Sequence, residues 1–366
     1  MSVPRQIVIA PDSFKGSLPA YRVAQAIAAG WLSVRPDDVL TLIPQADGGE
    51  GTLDAIEAAI PSAVRRDAGQ VTGPDGRATP GAWLVLPDGT AVVELAQMCG
   101  LPLAARLDPL GASTVGLGEV IRQSLVAGAS RLVIGLGGSA STDAAAGALA
   151  ALGLRGDASL TAGGGALGEL RYLDRSQLIA PPSGGVILLT DVAAPLLGST
   201  GAAAVFGPQK GATPADITVL DTNLARFAVV LGGEVSLPGM GAAGGAGYGF
   251  VAAWGAQIRP GADYLSALTG VQEAVARADL LITGEGRFDA TSRTGKIVGS
   301  LIDLAGRHCV PVAVIAGQLA QIPLGSDGRP LRAASLADLA GSADAAMADP
   351  IRWLRAAAAA AASAPR

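Results

Sequence analysis

The chain has 366 residues, half of them hydrophobic and 16% charged, which is enough apolar material for a large core and enough length for two domains, so disorder is excluded. Acidic residues outnumber basic ones, 31 to 26, and there is no basic run, which argues against a nucleic-acid partner. One histidine and two cysteines without metal spacing exclude a zinc centre and a disulfide framework, fit a reducing cytoplasm, and leave carboxylates, lysines and arginines to carry any chemistry.

In chain order, residues 7–10 are the first short apolar run, read as a buried strand ending at Pro11. The run is too short for the apolar stretch of a signal peptide. Asp12, Ser13, Lys15 and Gly16 follow within five residues. A helix comes next, with Ser17 as the expected N-cap and Val23, Ala24, Ile27 and Trp31 at helical spacing. Lys15 is out of place, because a cation at a helix start opposes the macrodipole. An anion held between the two removes the conflict, which predicts a ligand at the C-terminal edge of a parallel sheet.

Further strand-like runs at 39–43, 131–134, 186–189, 280–283 and 312–315 each lead into a loop. Helices are expected at about 52–60, through the alanines after 143 to about 152, and at about 297–304. That alternation predicts an α/β protein with mostly parallel strands. Residues 71–95 break it: the turns Asp75-Gly76 and Asp88-Gly89 lie between β-rich runs, the pattern of antiparallel hairpins. The expected organisation is discontinuous, with residues 1–65 and 275–366 forming one parallel-sheet domain and 66–274 an inserted mixed α/β domain. Residues 235–258 are uncharged but rich in glycine, poor material for a membrane helix, so no membrane partner is expected. The alanine run 356–362 reads as a terminal helix.

Four loops combine acids and glycines directly after a strand. The first holds Asp12, Ser13, Lys15 and Gly16. The second, ADGGEGT (46–52), holds Asp47, Gly48, Gly49 and Glu50; its acids suit a divalent cation or hydroxyl groups, or else a plain turn with a favourable first-turn Glu. The third, GLGGSASTDAAAG (135–147), holds Gly137, Gly138, Ser139 and Asp143, and fits G-x-G-x-x-A after a strand; small residues of this kind also serve close packing. The fourth, TGEGRFDATSRTGK (283–296), holds Gly284, Glu285, Arg287, Asp289 and Lys296, and repeats with Lys296 the oddity of Lys15. Asp191, just beyond the run 186–189, is a further candidate. There is no Walker A motif: Ala290 stands where the first glycine belongs and Ile297 where Ser or Thr belongs. A literal G-x-G-x-x-G at 239–244 follows no clear strand.

Taken together, IVIAPDSFKGSL (7–18), PQADGGEGT, STVGLGEVI (113–121), GLGGSASTDAAAGALAALG, TDVAAPLLGSTGAAAVFGPQKGA (190–212), GMGAAGGAG (239–247) and TGEGRFDATSRTGK resemble, in order, the glycerate kinases of the bacterial glycerate 2-kinase type. The chain departs from that pattern at Ser141-Thr142, at Ala193-Ala194 and at Thr291, where the family usually has Thr-Asn, Cys-Asn and a nearby Gln. The resemblance implies a flavodoxin-like domain and an inserted domain resembling a restriction-endonuclease core. It implies phosphoryl transfer from ATP to D-glycerate with Mg2+, giving 2-phosphoglycerate and ADP, by a monomer or homodimer. In that reading Lys15 and one of Arg287 or Lys296 neutralise the γ-phosphoryl group or the glycerate carboxylate. Asp47 and Glu50 hold magnesium or substrate hydroxyls, and Ser13, Gly16, Gly48, Gly49 and Asp289 complete the substrate group. Gly137, Gly138 and Ser139 cradle phosphate oxygens, with Asp143, Gly284 and Glu285 beside them, and Asp191 or Asp12 accepts the C2 hydroxyl proton. The rivals are a nicotinamide-dependent oxidoreductase, resting on the two glycine fingerprints, and a metabolite sensor without catalysis.

Overall fold

The computed structural model describes residues 3–293 and 297–364. These form two compact units. The first takes the chain up to Ala46, Asp54–Pro61 and everything from Ala262; the second takes Asp47–Leu53 and Ser62–Gly261.

The first unit is built on a five-stranded sheet in the order Arg332–Ser335, Val312–Ala316, Leu280–Thr283, Gln6–Ile9, Val39–Leu42, every pair parallel. Counted along the chain within this unit the order is 2-1-3-4-5, that of a doubly wound sheet. Strand alternation explains why both faces are covered. Ile7 and Ile9 point to one face, with Val23, Ile27, Trp31 and Leu354, and Val8 and Ala10 to the other, with Val275, Val298 and Leu301. The helices Ala20–Leu32 and Pro350–Ser363 cover the first face. They approach so closely that a Cβ on Gly30 would stand 2.2 Å from the Arg355 carbonyl oxygen, which is why glycine meets an alanine-rich helix there. Helix Ile297–Arg307 covers the other face.

The second unit carries a six-stranded sheet, Gln257–Arg259, Val186–Leu189, Arg131–Gly135, Thr90–Glu94, Ala78–Val85, Val64–Thr72. The first four run parallel; the last two add an antiparallel meander through the two Asp-Gly turns. Both units are thus α/β, one with a parallel and one with a mixed sheet.

The unit borders differ from the expected ones, most of all at the DGGEGT loop, which belongs with the second unit. Two contacts explain this: Glu94, buried at the end of its strand, accepts from the N–H groups of Gly51 and Leu53 at 3.0 Å each, and the Gly48 carbonyl accepts from Gly137 N–H at 3.0 Å. The alanine-rich helix after the third loop also starts later than expected, at Ala146, because Ala144 and Ala145 sit in the left-handed region with φ of 49° and 60°. No helix among the described residues is long and apolar enough to cross a membrane.

Candidate active site

In the first unit the strands Gln6–Ile9 and Leu280–Thr283 lie side by side, and their onward connections leave in opposite directions across the sheet. The crevice at the C-terminal ends of such a pair is where doubly wound folds take ligands. The loops Asp12–Gly16 and Gly284–Arg287 meet there: Asp12 N–H donates to the Gly284 carbonyl at 2.8 Å, and Thr283 Oγ1 donates to the Ala10 carbonyl at 2.8 Å. A Cβ on Gly284 would fall 1.8 Å from the Ile315 carbonyl oxygen, so only glycine lets this loop lie against its neighbour strand. Asp12 and Ser13 are half-buried, Lys15 and Gly16 exposed, and Glu285 buried.

Lys15 is not at a helix start. Phe14, itself buried, exchanges hydrogen bonds with Leu18, and Lys15 and Gly16 form the tip of that tight turn, Gly16 with φ of 77°. The helix begins at Ala20 with Pro19 as N-cap, so Ser17 is not the cap. The macrodipole fades within the first turn, and the argument that Lys15 must be balanced by an anion loses its force. What remains is an exposed ammonium with no hydrogen bond or ion pair among the described residues, at the rim of the crevice. Asp289 is occupied locally. Its Oδ1 accepts from Thr291 N–H at 2.9 Å and Thr291 Oγ1 at 2.7 Å, capping the turn Ala290–Arg293, and Arg287 lies 3.8 Å from its other oxygen. Lys296 lies outside the described residues.

The second unit gathers the remaining candidates at the C-terminal ends of Arg131–Gly135 and Val186–Leu189. Here the glycines serve backbone-to-backbone approach. A Cβ on Gly48 would meet the Leu189 Cβ at 2.8 Å, and one on Gly137 would meet the Gly49 Cα at 2.4 Å. Gly261 ties Asp47 to Asp191: its N–H donates to Asp191 Oδ1 at 2.9 Å, while a Cβ there would overlap the Asp47 carbonyl. Asp47, half-buried, accepts from Gly49 N–H at 3.0 Å through one oxygen; Glu50 and Asp191 are exposed. Among the described residues no three His, Cys, Asp or Glu side chains converge as a metal site. Asp47 and Glu50 are two carboxylates of one loop, and a magnesium ion shared with a nucleotide needs only one or two besides phosphate oxygens.

Asp143 departs furthest from expectation. It is fully buried, and its Oδ2 accepts from Thr114 N–H at 2.9 Å, Thr114 Oγ1 at 2.8 Å and Gly147 N–H at 3.3 Å. Burial raises its pKa against these bonds. It anchors the start of helix Val115–Val126. The loop after Arg131–Gly135 does not open a helix, so the dinucleotide fingerprint has no structural counterpart. GMGAAGGAG packs instead against this loop, with Ala144 N–H donating to the Gly244 carbonyl at 3.0 Å.

Two residues here carry no functional mark in their local sequence. One is Glu94, which holds the DGGEGT loop. The other is Lys210, 2% exposed on the turn Pro208–Lys210, whose Nζ donates to Ser139 Oγ at 2.9 Å and to the Ser141 carbonyl. It shares a cavity of about 180 Å³ with Gly137, Gly138, Ser139, Thr190 and Gln209. The only lysines in the chain are Lys15, Lys210 and Lys296, each next to a glycine inside a motif block. That scarcity was the available signal.

The family model described as the glycerate kinase family matches residues 7–365. The chain belongs to the glycerate kinase family. Among relatives of that family, a glycerate 2-kinase of Escherichia coli (strain K12) is 42% identical over 327 residues, covering 86% of this chain and 85% of the relative. A glycerate kinase of Halalkalibacterium halodurans is 42% identical and covers 86% of each chain. A crystal structure named, provisionally, glycerate kinase 2 from Salmonella typhimurium LT2 superposes with a TM-score of 0.79 at 35% identity, covering 99% of this chain and 98% of that one.

Proposed function

We propose that the protein transfers the γ-phosphoryl group of ATP to the C2 hydroxyl of D-glycerate, giving 2-phosphoglycerate and ADP. The family match over nearly the whole chain carries this reading. The name of the Escherichia coli relative, a 2-kinase, favours the C2 hydroxyl. Phosphoryl transfer asks mainly for positioning and charge neutralisation, and each unit supplies groups for that. In the first, Lys15 and Arg287 neutralise an anionic substrate group, each charge-assisted contact contributing roughly 1.5–3 kcal/mol, while Ser13 and Glu285 border the same loops. In the second, Asp47 and Glu50 would hold the magnesium that accompanies ATP, which would supply charge neutralisation to the transferring phosphoryl group. Asp191 or Asp12 takes the C2 hydroxyl proton. Asp191 accepts from Gly261 N–H and is solvent-accessible, which suits a base that must return its proton to water.

The test is phosphorus NMR of the product formed from D-glycerate and ATP. A 2-phosphoglycerate resonance is expected; a 3-phosphoglycerate resonance overturns the regiochemistry, and ADP release that does not depend on glycerate overturns the acceptor.

A further inference from the structure

We propose that Lys210 is the cation of a phosphate pocket in the second unit, which takes the polyphosphate end of the nucleotide. The inference deepens the ATP-dependent reading above and rests on it. An ammonium carries three donors, and Lys210 has two acceptors among the described residues, Ser139 Oγ and the Ser141 carbonyl, both uncharged. No carboxylate pairs with it. Asp143 is the one ionisable group acting on Lys210, and its bonded oxygen is held by Thr114 and Gly147. The residues lining the cavity include no other titratable side chain. A buried ammonium without a counter-ion is costly; an anion in the cavity supplies one.

The cavity is made for such a group. Gly137 N–H is occupied by the Gly48 carbonyl, but the N–H groups of Gly138 and Ser139 have no acceptor among the described residues, and Gly138 has φ of 79°. Two backbone donors beside a lysine at a left-handed glycine form an anion-binding concavity. About 180 Å³ falls below the roughly 300–1,000 Å³ of pockets that enclose a whole drug-sized ligand, so the cavity suits one or two phosphate groups and not the nucleoside. Burial lowers the pKa of Lys210 from 10.5 to about 7, partly offset by Asp143. At pH 8 most of the free protein therefore holds the neutral amine, and an incoming phosphate restores the charged form by drawing a proton from solvent onto Nζ.

Calorimetric titration of the full chain with inorganic tripolyphosphate at pH 8, in buffers of high and low ionisation heat, tests this. Wild type is expected to bind, with more proton uptake per ligand than Lys210→Arg under the same conditions. Lys210→Arg, whose guanidinium stays protonated, is expected to bind with no uptake, and Lys210→Met to lose affinity about tenfold or more. No binding by wild type, or affinity within twofold for a folded Lys210→Met, overturns the proposal. If Lys210→Met fails to fold, Lys210→Gln takes its place, and affinity within twofold of wild type again overturns the proposal. Glycerate-dependent ADP release by wild type tests the kinase reading separately, so the two can fail independently.

Discussion

Lys15 and Lys210 each lie beside a glycine in a loop of their unit, and they are opposites. Lys15 stands on an exposed turn tip, hydrated and unpaired, so its charge is ready-made and weak at a distance. Lys210 is buried with two uncharged acceptors, and burial pushes its pKa down to about 7. A solvated cation steers and neutralises whatever arrives; a buried one discriminates, since only an anion repairs the loss of water.

The largest effect that sharpens this contrast concerns neither lysine. Asp191→Asn is expected to lower kcat by 10²–10⁴-fold, the usual contribution of a general base; near-normal turnover would shift that role to Asp12, to be checked with Asp12→Asn. Lys15→Ala is expected to reduce kcat/KM by about 100-fold, an estimate from the loss of donors to developing charge. A loss under threefold would mean that the exposed lysine does no more than line the rim. The buried lysine is also visible in stability. With its folded pKa near 7 and its unfolded pKa near 10.5, the unfolded chain binds more protons between those values. Its contribution makes stability rise with pH across that window, by up to about 1.4 kcal/mol per pH unit. Urea midpoints of wild type and Lys210→Met from pH 7 to 10 should differ by that slope, and parallel curves would show Lys210 charged throughout. Gly137→Ala forces a Cβ against Gly49 and is expected to cost about 1–3 kcal/mol by overpacking, read as a lower melting temperature. The smallest effect is expected for Arg287→Ala, about tenfold in KM for glycerate, the low end for a charge-assisted contact, because the side chain is 65% exposed and already close to Asp289.

The contrast also separates what was legible in the residues from what was not. Strands Val186–Leu189 and Leu280–Thr283 have the expected limits because short apolar runs bounded by loops announce themselves locally. The left-handed Ala144 and Ala145 do not: alanine is the best helix former, and only packing against Gly244, Gly245 and Gly249 overrides that preference. Asp143 looked like a loop acid because its partner Thr114 is 29 residues away. Lys210 escaped notice for the same reason, with Ser139 at a separation of 71 residues; on its own, Pro-Gln-Lys-Gly reads as a surface turn.

Strand Gln6–Ile9 sits inside its sheet, between Val39–Leu42 and Leu280–Thr283. During synthesis at roughly 5–20 residues per second, its second neighbour emerges many seconds after it does. Over that interval the second unit, contiguous but for Asp47–Leu53, has all its strands available, while the first strand of the chain keeps an apolar edge unpaired. All strands of the inserted body are therefore synthesised before the sheet of the first unit can be completed, and a truncation anywhere before Leu280 leaves the opening strand without its central partner.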